Sequence, residues 1–246
     1  MKIEKYTKLK NGQYKLNFDN NTNAILHEDL ILKYNLLIHK EVDESSLEKM
    51  LEENTSYLAY DLAISYLKSK MRSEKEIKEY LIKKGVKEDL ANDAIKLLKK
   101  QNYLNDNIYC KAFINDKLNL SSDGPYKIKE SLRKLGISDE IILKNIDIFT
   151  TDLEKERIKK LISKQIKTNH NKSTYVLKRK ITDYLVNLGY SKEIVIREIN
   201  NINIDDKDIV KKEYEKIYSK LSKKYSGKEL EYKIKQKMYQ KGFFQE

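Results

Sequence analysis

Residues 126–137 read YKIKESLRKLGI, and three other stretches repeat the pattern: KEIKEYLIKKGV at 75–86, RKITDYLVNLGY at 179–190 and YKIKQKMYQKGF at 232–243. Each has an apolar residue, a second four later, a glycine four after that, and then an apolar or aromatic residue. The series is Ile77-Leu81-Gly85, Ile128-Leu132-Gly136, Ile181-Leu185-Gly189 and Ile234-Met238-Gly242. Residues four apart share one helical face. A glycine just past the last turn can take the left-handed conformation that ends a helix. Each stretch therefore predicts a short helix with a glycine stop. The glycines lie 51, 53 and 53 residues apart, so a unit of that length recurs.

Working outward, each unit holds three helices. In the first, 58–70 is amphipathic, Ser73 and Glu76 form a capping-box pair ahead of the glycine-stopped helix, and 87–104 supplies the third helix. In the second, Asn107 to about Leu118 comes first. Gly124-Pro125 then opens the glycine-stopped helix, and Ser138 caps the third. The third unit starts near Asp152, with Ser191 as a cap, and the fourth lacks its third helix. The first 54 residues differ. Lys2–Leu9, Gln13–Phe18 and Thr22–Leu26 are short, partly alternating runs, separated by Asn11-Gly12 and Asp19-Asn20-Asn21. They predict a β-meander, followed by helices at about 28–36 and 44–53.

The expected fold is thus mainly α: tandem three-helix repeats forming an elongated curved array behind a small N-terminal β-meander and helix. The expected divisions are 1–54, 55–105, 106–151, 152–204 and a partial repeat at 205–246. A single proline and seven glycines suit such a chain, because helix interiors tolerate neither residue well.

Charged residues make up 36 % of the 246 and the net charge is +12. That balance draws a protein towards polyanions or acidic protein surfaces. The excess is uneven: residues 1–54 carry −2, while 152–204 carry +6 and 205–246 carry +4. Cys110 is the lone cysteine, so no intrachain disulfide forms, which suits a reducing cytoplasm. The N-terminus has no apolar run of a signal peptide, and no stretch has the length of a membrane span. We expect a cytoplasmic monomer away from the membrane. His27, His39 and His170 are scattered and make no zinc spacing, so neither metal nor cofactor is expected. Asp205, Asp206 and Asp208 suit a helix start better than a metal. No phosphate loop or nucleophile–histidine–acid set stands out, and the chain is not read as an enzyme.

The first unit contains Ala63, Tyr66-Leu67, Arg72-Ser73, Glu74, Glu76-Ile77, Leu81, Lys84-Gly85 and Leu104-Asn105-Asp106. The second contains Phe113, Gly124-Pro125, Ile128, Leu132 and Gly136-Ile137. This set resembles the RecX family over residues 57–246, with departures at Asn102 and Cys110. Units three and four match by spacing more than by identity. The resemblance implies a regulator, mostly an inhibitor, that binds in the groove of the RecA filament on single-stranded DNA and modulates ATP hydrolysis and strand exchange in DNA repair and recombination.

A groove ligand of that kind is expected to be basic along one face. The candidates lie on or just before the glycine-stopped helices: Arg72, Lys75 and Lys78; Lys127, Lys129 and Arg133; Lys178, Arg179 and Lys180; Lys233, Lys235 and Lys237. The competing reading is that these are ordinary solvated helix faces. Tyrosines interleave with basic residues between Tyr225 and Tyr239, where stacking on bases competes with core packing. Two other functions fit the pattern: direct binding of single- or double-stranded DNA by helix-turn-helix-like modules, and a non-catalytic helical scaffold.

Overall fold

The computed structural model describes residues 1–9, 12–169 and 172–243. The chain forms two compact units, Met1–Lys111 with Lys134–Ile141, and Ala112–Arg133 with the residues from Ile142 on.

The first unit opens with a three-stranded antiparallel sheet in the order β1 (Ile3–Lys8), β2 (Gln13–Phe18), β3 (Asn23–His27). Asn11 lies outside the described residues. Gly12 has φ +69° and Leu9 N–H donates to Gln13 O, so the two runs do close as a hairpin. Leu16, Phe18, Ala24 and Leu26 alternate onto one buried face, as the period of two requires. Leu30 and Ile31 of α1 (Glu28–Lys33) join them. This helix stops short of the expected 36, because Asn35 turns left-handed at φ +52°.

The helices expected at 44–53 and 58–70 are one helix, α2 (Glu44–Leu67), which runs through the boundary drawn after residue 54. The intervening Asn54-Thr55-Ser56 holds no glycine or proline, so nothing breaks the backbone there. Asn54 instead turns its polar side chain outward from the helix. It accepts from His27 N–H at 2.8 Å and donates to Ile25 O at 2.9 Å, satisfying the end of β3 while buried.

The later half of α2, α3 (Glu74–Lys83) and α4 (Glu88–Lys100) make the first three-helix repeat. Ala59, Ala63, Ile77, Leu81, Ala91 and Leu98 form its core. Full burial of a leucine or isoleucine contributes about 1.5–3 kcal/mol. The two alanines on α2 let the helices approach closely. Ser73 and Glu76 form the expected capping box. Beyond α4 the chain continues as α5 (Asp106–Leu120), α6 (Pro125–Lys134), α7 (Asp139–Ile146), α8 (Thr151–Thr168), α9 (Thr174–Asn187), α10 (Lys192–Asn200), α11 (Lys207–Leu221) and α12 (Gly227–Gln240). Ser191 precedes α10 without a capping bond from its side chain; its N–H donates to Glu154 instead.

All four recurring glycines are left-handed, with φ between +80° and +87°. In α3, α9 and α12 the stop has the same two bonds. Gly85, Gly189 and Gly242 N–H reach Ile82, Val186 and Tyr239 O, and Val86, Tyr190 and Phe243 N–H reach Leu81, Leu185 and Met238 O. The residue after the glycine is folded back on its own helix end, which is why that position is apolar or aromatic.

Candidate functional site

The glycine stops also position the basic helices, because the start of one such helix abuts the stop of the next. Ser73 Oγ donates to Leu135 O at 2.7 Å, and Lys75 Nζ donates to Lys134 O at 3.0 Å. A Cβ on Gly136 would stand 2.7 Å from Lys75 Cβ. In the second unit Gly124 N–H donates to Leu188 O at 2.6 Å and Tyr126 N–H to Gly189 O at 3.0 Å. Gly189 there lies against the Lys127 backbone. Ser173 Oγ donates to Lys241 O at 3.2 Å, and a Cβ on Gly242 would stand 2.8 Å from that hydroxyl.

Carboxylates and a guanidinium complete these joints. Asp106 accepts from Glu74 N–H at 3.0 Å, and Asp206 accepts from Thr174 N–H at 2.6 Å. The acidic cluster at 205–208 is thus a helix start, with Asp206 bonded across to α9. Burial pushes the Asp106 carboxyl up, against the bond from Glu74 N–H. Glu76 is the opposite case. Burial opposes its charge, but bonds from Ser73 N–H, the Tyr109 hydroxyl and Arg72 outweigh burial and hold it below the usual range. Arg157 of α8 donates to Leu118 O and Ser121 O at 2.8 and 2.6 Å, and to the Tyr190 hydroxyl at 3.2 Å.

The sequence candidates divide by environment. Arg72 is largely covered: it lies 4.0 Å above the Tyr66 ring, which stacks on Tyr80, and pairs with Glu76 at 3.3 Å. Lys75 uses its stem against Gly136 and also faces Glu79. Lys78 pairs with Glu88 at 2.7 Å, and Lys127 with Asp123 at 2.7 Å. Asp123, buried but bonded to Lys127 and Lys117, stays below the usual carboxylate range. Lys129 and Lys233 lie over the rings of Tyr126 and Tyr225. Arg133 is exposed. Lys180 donates to Asn169, and Lys237 to Gln240. Lys178, Arg179 and Lys235 make no salt bridge among the described residues, and Arg179 and Lys235 are exposed. Lys172 and Lys180 approach each other, and that contact lowers the Lys172 pKa. Positive charge therefore concentrates at the start of α9.

Two clefts bring in basic residues that the sequence reading left out. Lys75 and Lys78 face Lys96 and Lys99 across a cleft of about 490 Å³ between α3 and α4. Each of these ammoniums already has a carboxylate partner, since Lys96 meets Asp93 and Lys99 meets Glu74. In the second unit, Arg157, Lys160 and Lys164 line a cleft of about 460 Å³ with Tyr190. Their spacing of three and four places them on one face of α8, a signal present in the sequence. His27 and His39 stay apart from these clefts, and His170 lies outside the described residues.

Two family models match the chain, the first RecX three-helix domain over 59–98 and the second over 105–144. The regulatory protein RecX of Streptococcus uberis is 31 % identical over 250 aligned residues, covering 99 % of this chain and 95 % of that protein. That of Oceanobacillus iheyensis is 29 % identical over 221, covering 88 % and 81 %. A crystal structure of regulatory protein RecX superposes with a TM-score of 0.70 at 24 % identity, covering 80 % of this chain and 98 % of its own. A crystal structure of RecX from Lactobacillus salivarius gives 0.57 at 27 % identity, over 61 % and 99 %. With the glycine-stopped three-helix units in place and relatives matched along nearly its whole length, the chain belongs to the RecX family of regulatory proteins.

Proposed function

We propose that this protein is a non-catalytic cytoplasmic regulator of a RecA-type recombinase, binding its filament on single-stranded DNA and lowering ATP turnover and strand exchange. The observation that carries the reading is the contrast among the basic helices. In α3, Lys75 and Lys78 are paired with carboxylates of the same unit, whereas Lys178, Arg179 and Lys235 have no acidic partner among the described residues. Cations left without an internal partner can meet phosphate or an acidic protein surface at little desolvation cost. Family membership supports the recombinase as the target.

Direct DNA binding is the second reading, favoured by the row of Arg157, Lys160 and Lys164 along one cleft. Titration into recombinase ATP turnover on single-stranded DNA separates the two. A filament regulator lowers turnover at well below one molecule per recombinase protomer. A plain DNA binder shows steep salt dependence on bare DNA and acts only when it covers the lattice. Unchanged turnover over intact filaments sinks the regulator reading for this chain.

A further inference from the structure

Three of the four glycine stops are occupied by the start of a neighbouring helix, and the fourth is open. Among the described residues nothing lies within 4 Å of a Cβ placed on Gly85, which is exposed and left-handed like the others. Beside it is a cleft of about 620 Å³ whose lining includes Thr55, Leu58, Ala59, Leu62, Lys84 and Val86.

This cleft is a copy of a joint already seen. Shifting repeat 1 by 51 residues, the distance from Gly85 to Gly136, places Thr55 on Asp106 and Leu58 on Tyr109. It places Lys84 on Leu135. Those three residues of the second repeat receive the start of α3: Asp106 takes Glu74 N–H, Tyr109 bonds Glu76, and Leu135 O takes the Ser73 hydroxyl. The corresponding wall beside Gly85 is more apolar, with leucine for tyrosine and threonine for aspartate.

Of the four glycine-stopped helices, α12 starts with no stop beneath it among the described residues. Ser226 is exposed and its side chain makes no capping bond, whereas Ser73 and Ser173 are 0 % and 1 % exposed inside their joints. The free start reads Ser226-Gly227-Lys228-Glu229, and the start that docks on Gly136 reads Ser73-Glu74-Lys75-Glu76. Serine at the cap, lysine at the second helical position and glutamate at the third recur in register.

We propose that the start of α12 of one copy docks in the Gly85 cleft of the next, so that the protein associates head to tail through the same joint that links its own repeats. Such a contact is heterologous: it does not use one patch twice, and it leaves a free end at each extremity. One helix start and one small cleft make a weak interface, so dilute protein is monomeric and association sets in at high concentration or on a shared lattice.

The test uses two variants of the full chain. Thr55→Arg fills the cleft from an exposed position. Ser226→Arg puts a bulky side chain where the other joints admit only serine or glycine. Neither residue is buried in a single copy, so both variants should fold, with thermal melts as the control. Sedimentation equilibrium of the wild type is expected to show a mass that rises past one and then two 29.2 kDa chains as concentration increases. Each variant alone stays at one chain. An equimolar mixture forms a two-chain complex and grows no further, because each variant retains the end the other has lost. A wild type that stays at one chain into the hundreds of micromolar overturns the proposal and leaves the cleft for a helix from another protein. A closed dimer unaffected by either variant overturns it as well.

Discussion

Ser73 donates its hydroxyl to the carbonyl oxygen of Leu135, 62 residues further along the chain, while accepting from Glu76 N–H at 3.2 Å. One small side chain therefore ends one helix and begins another. The geometry leaves room for little else, and glycine on the receiving side is as constrained as serine on the donating side.

Glycine-to-alanine changes should rank by what lies above each stop. Gly85→Ala meets only the cost of a left-handed alanine, about 1–2 kcal/mol. Gly136→Ala adds contact with the Lys75 stem, and Gly189→Ala adds contact with the Lys127 backbone, which cannot swing away. Overpacking of that kind costs a further ~1–3 kcal/mol. Urea denaturation of the three variants should give losses in the order Gly85, Gly136, Gly189; equal losses would show that the joints are loose.

Arg72→Ala should destabilise the first unit by about 1–2 kcal/mol, through loss of the stack on Tyr66 and the bond to Glu76. Arg72→Lys should recover only part of this, because an ammonium cannot stack as a guanidinium does. A thermal melt with no change for either variant would count against the covered position described for Arg72.

Acid should loosen the joint at Glu76. Its carboxyl titrates below its ordinary value of 4.5, so its stabilisation is present above that pH and is lost as pH falls through the lowered folded value. Asp106 runs the other way. Burial raises it, so its contribution is complete below 3.8 and is lost as pH rises through the raised folded value. Glu76→Gln should therefore flatten the fall in urea midpoint between about pH 6 and about pH 3.5. An unchanged slope would remove Glu76 from the acid response.

Charge reversal at Lys178 and Arg179 should weaken recombinase inhibition several-fold while leaving the melting temperature within a degree or two, since neither makes a salt bridge among the described residues. Reversal at Lys78 should instead expose Glu88 to a like charge and have the smaller effect on inhibition. If the two changes weaken inhibition equally, the contrast between the basic helices is not what the partner reads.

Much of the fold was legible because its punctuation is local. A glycine four residues after two spaced apolar positions signals a stop wherever it stands, and Ser73 with Glu76 signals a start. Length was harder. Asn54-Thr55-Ser56 reads as a break between two amphipathic runs, yet Asn54 is inside α2 because its amide bonds to β3, a partner far away in sequence. The candidate site was less legible for the same reason. Lys75 reads as a surface lysine, and only the position of Gly136 shows that its stem is packed. Arg157 reads as one more cation on α8, whereas its carbonyl partners lie 36 and 39 residues away.

The joints consist largely of main-chain carbonyls, main-chain N–H groups, a small cap residue and a glycine. A gene segment that duplicated from one glycine to the next would thus encode a module already equipped with both halves of the coupling, and its remaining side chains would be free to drift. Units three and four of this chain keep the spacing with less of the identity, which a coupling built from main-chain groups permits.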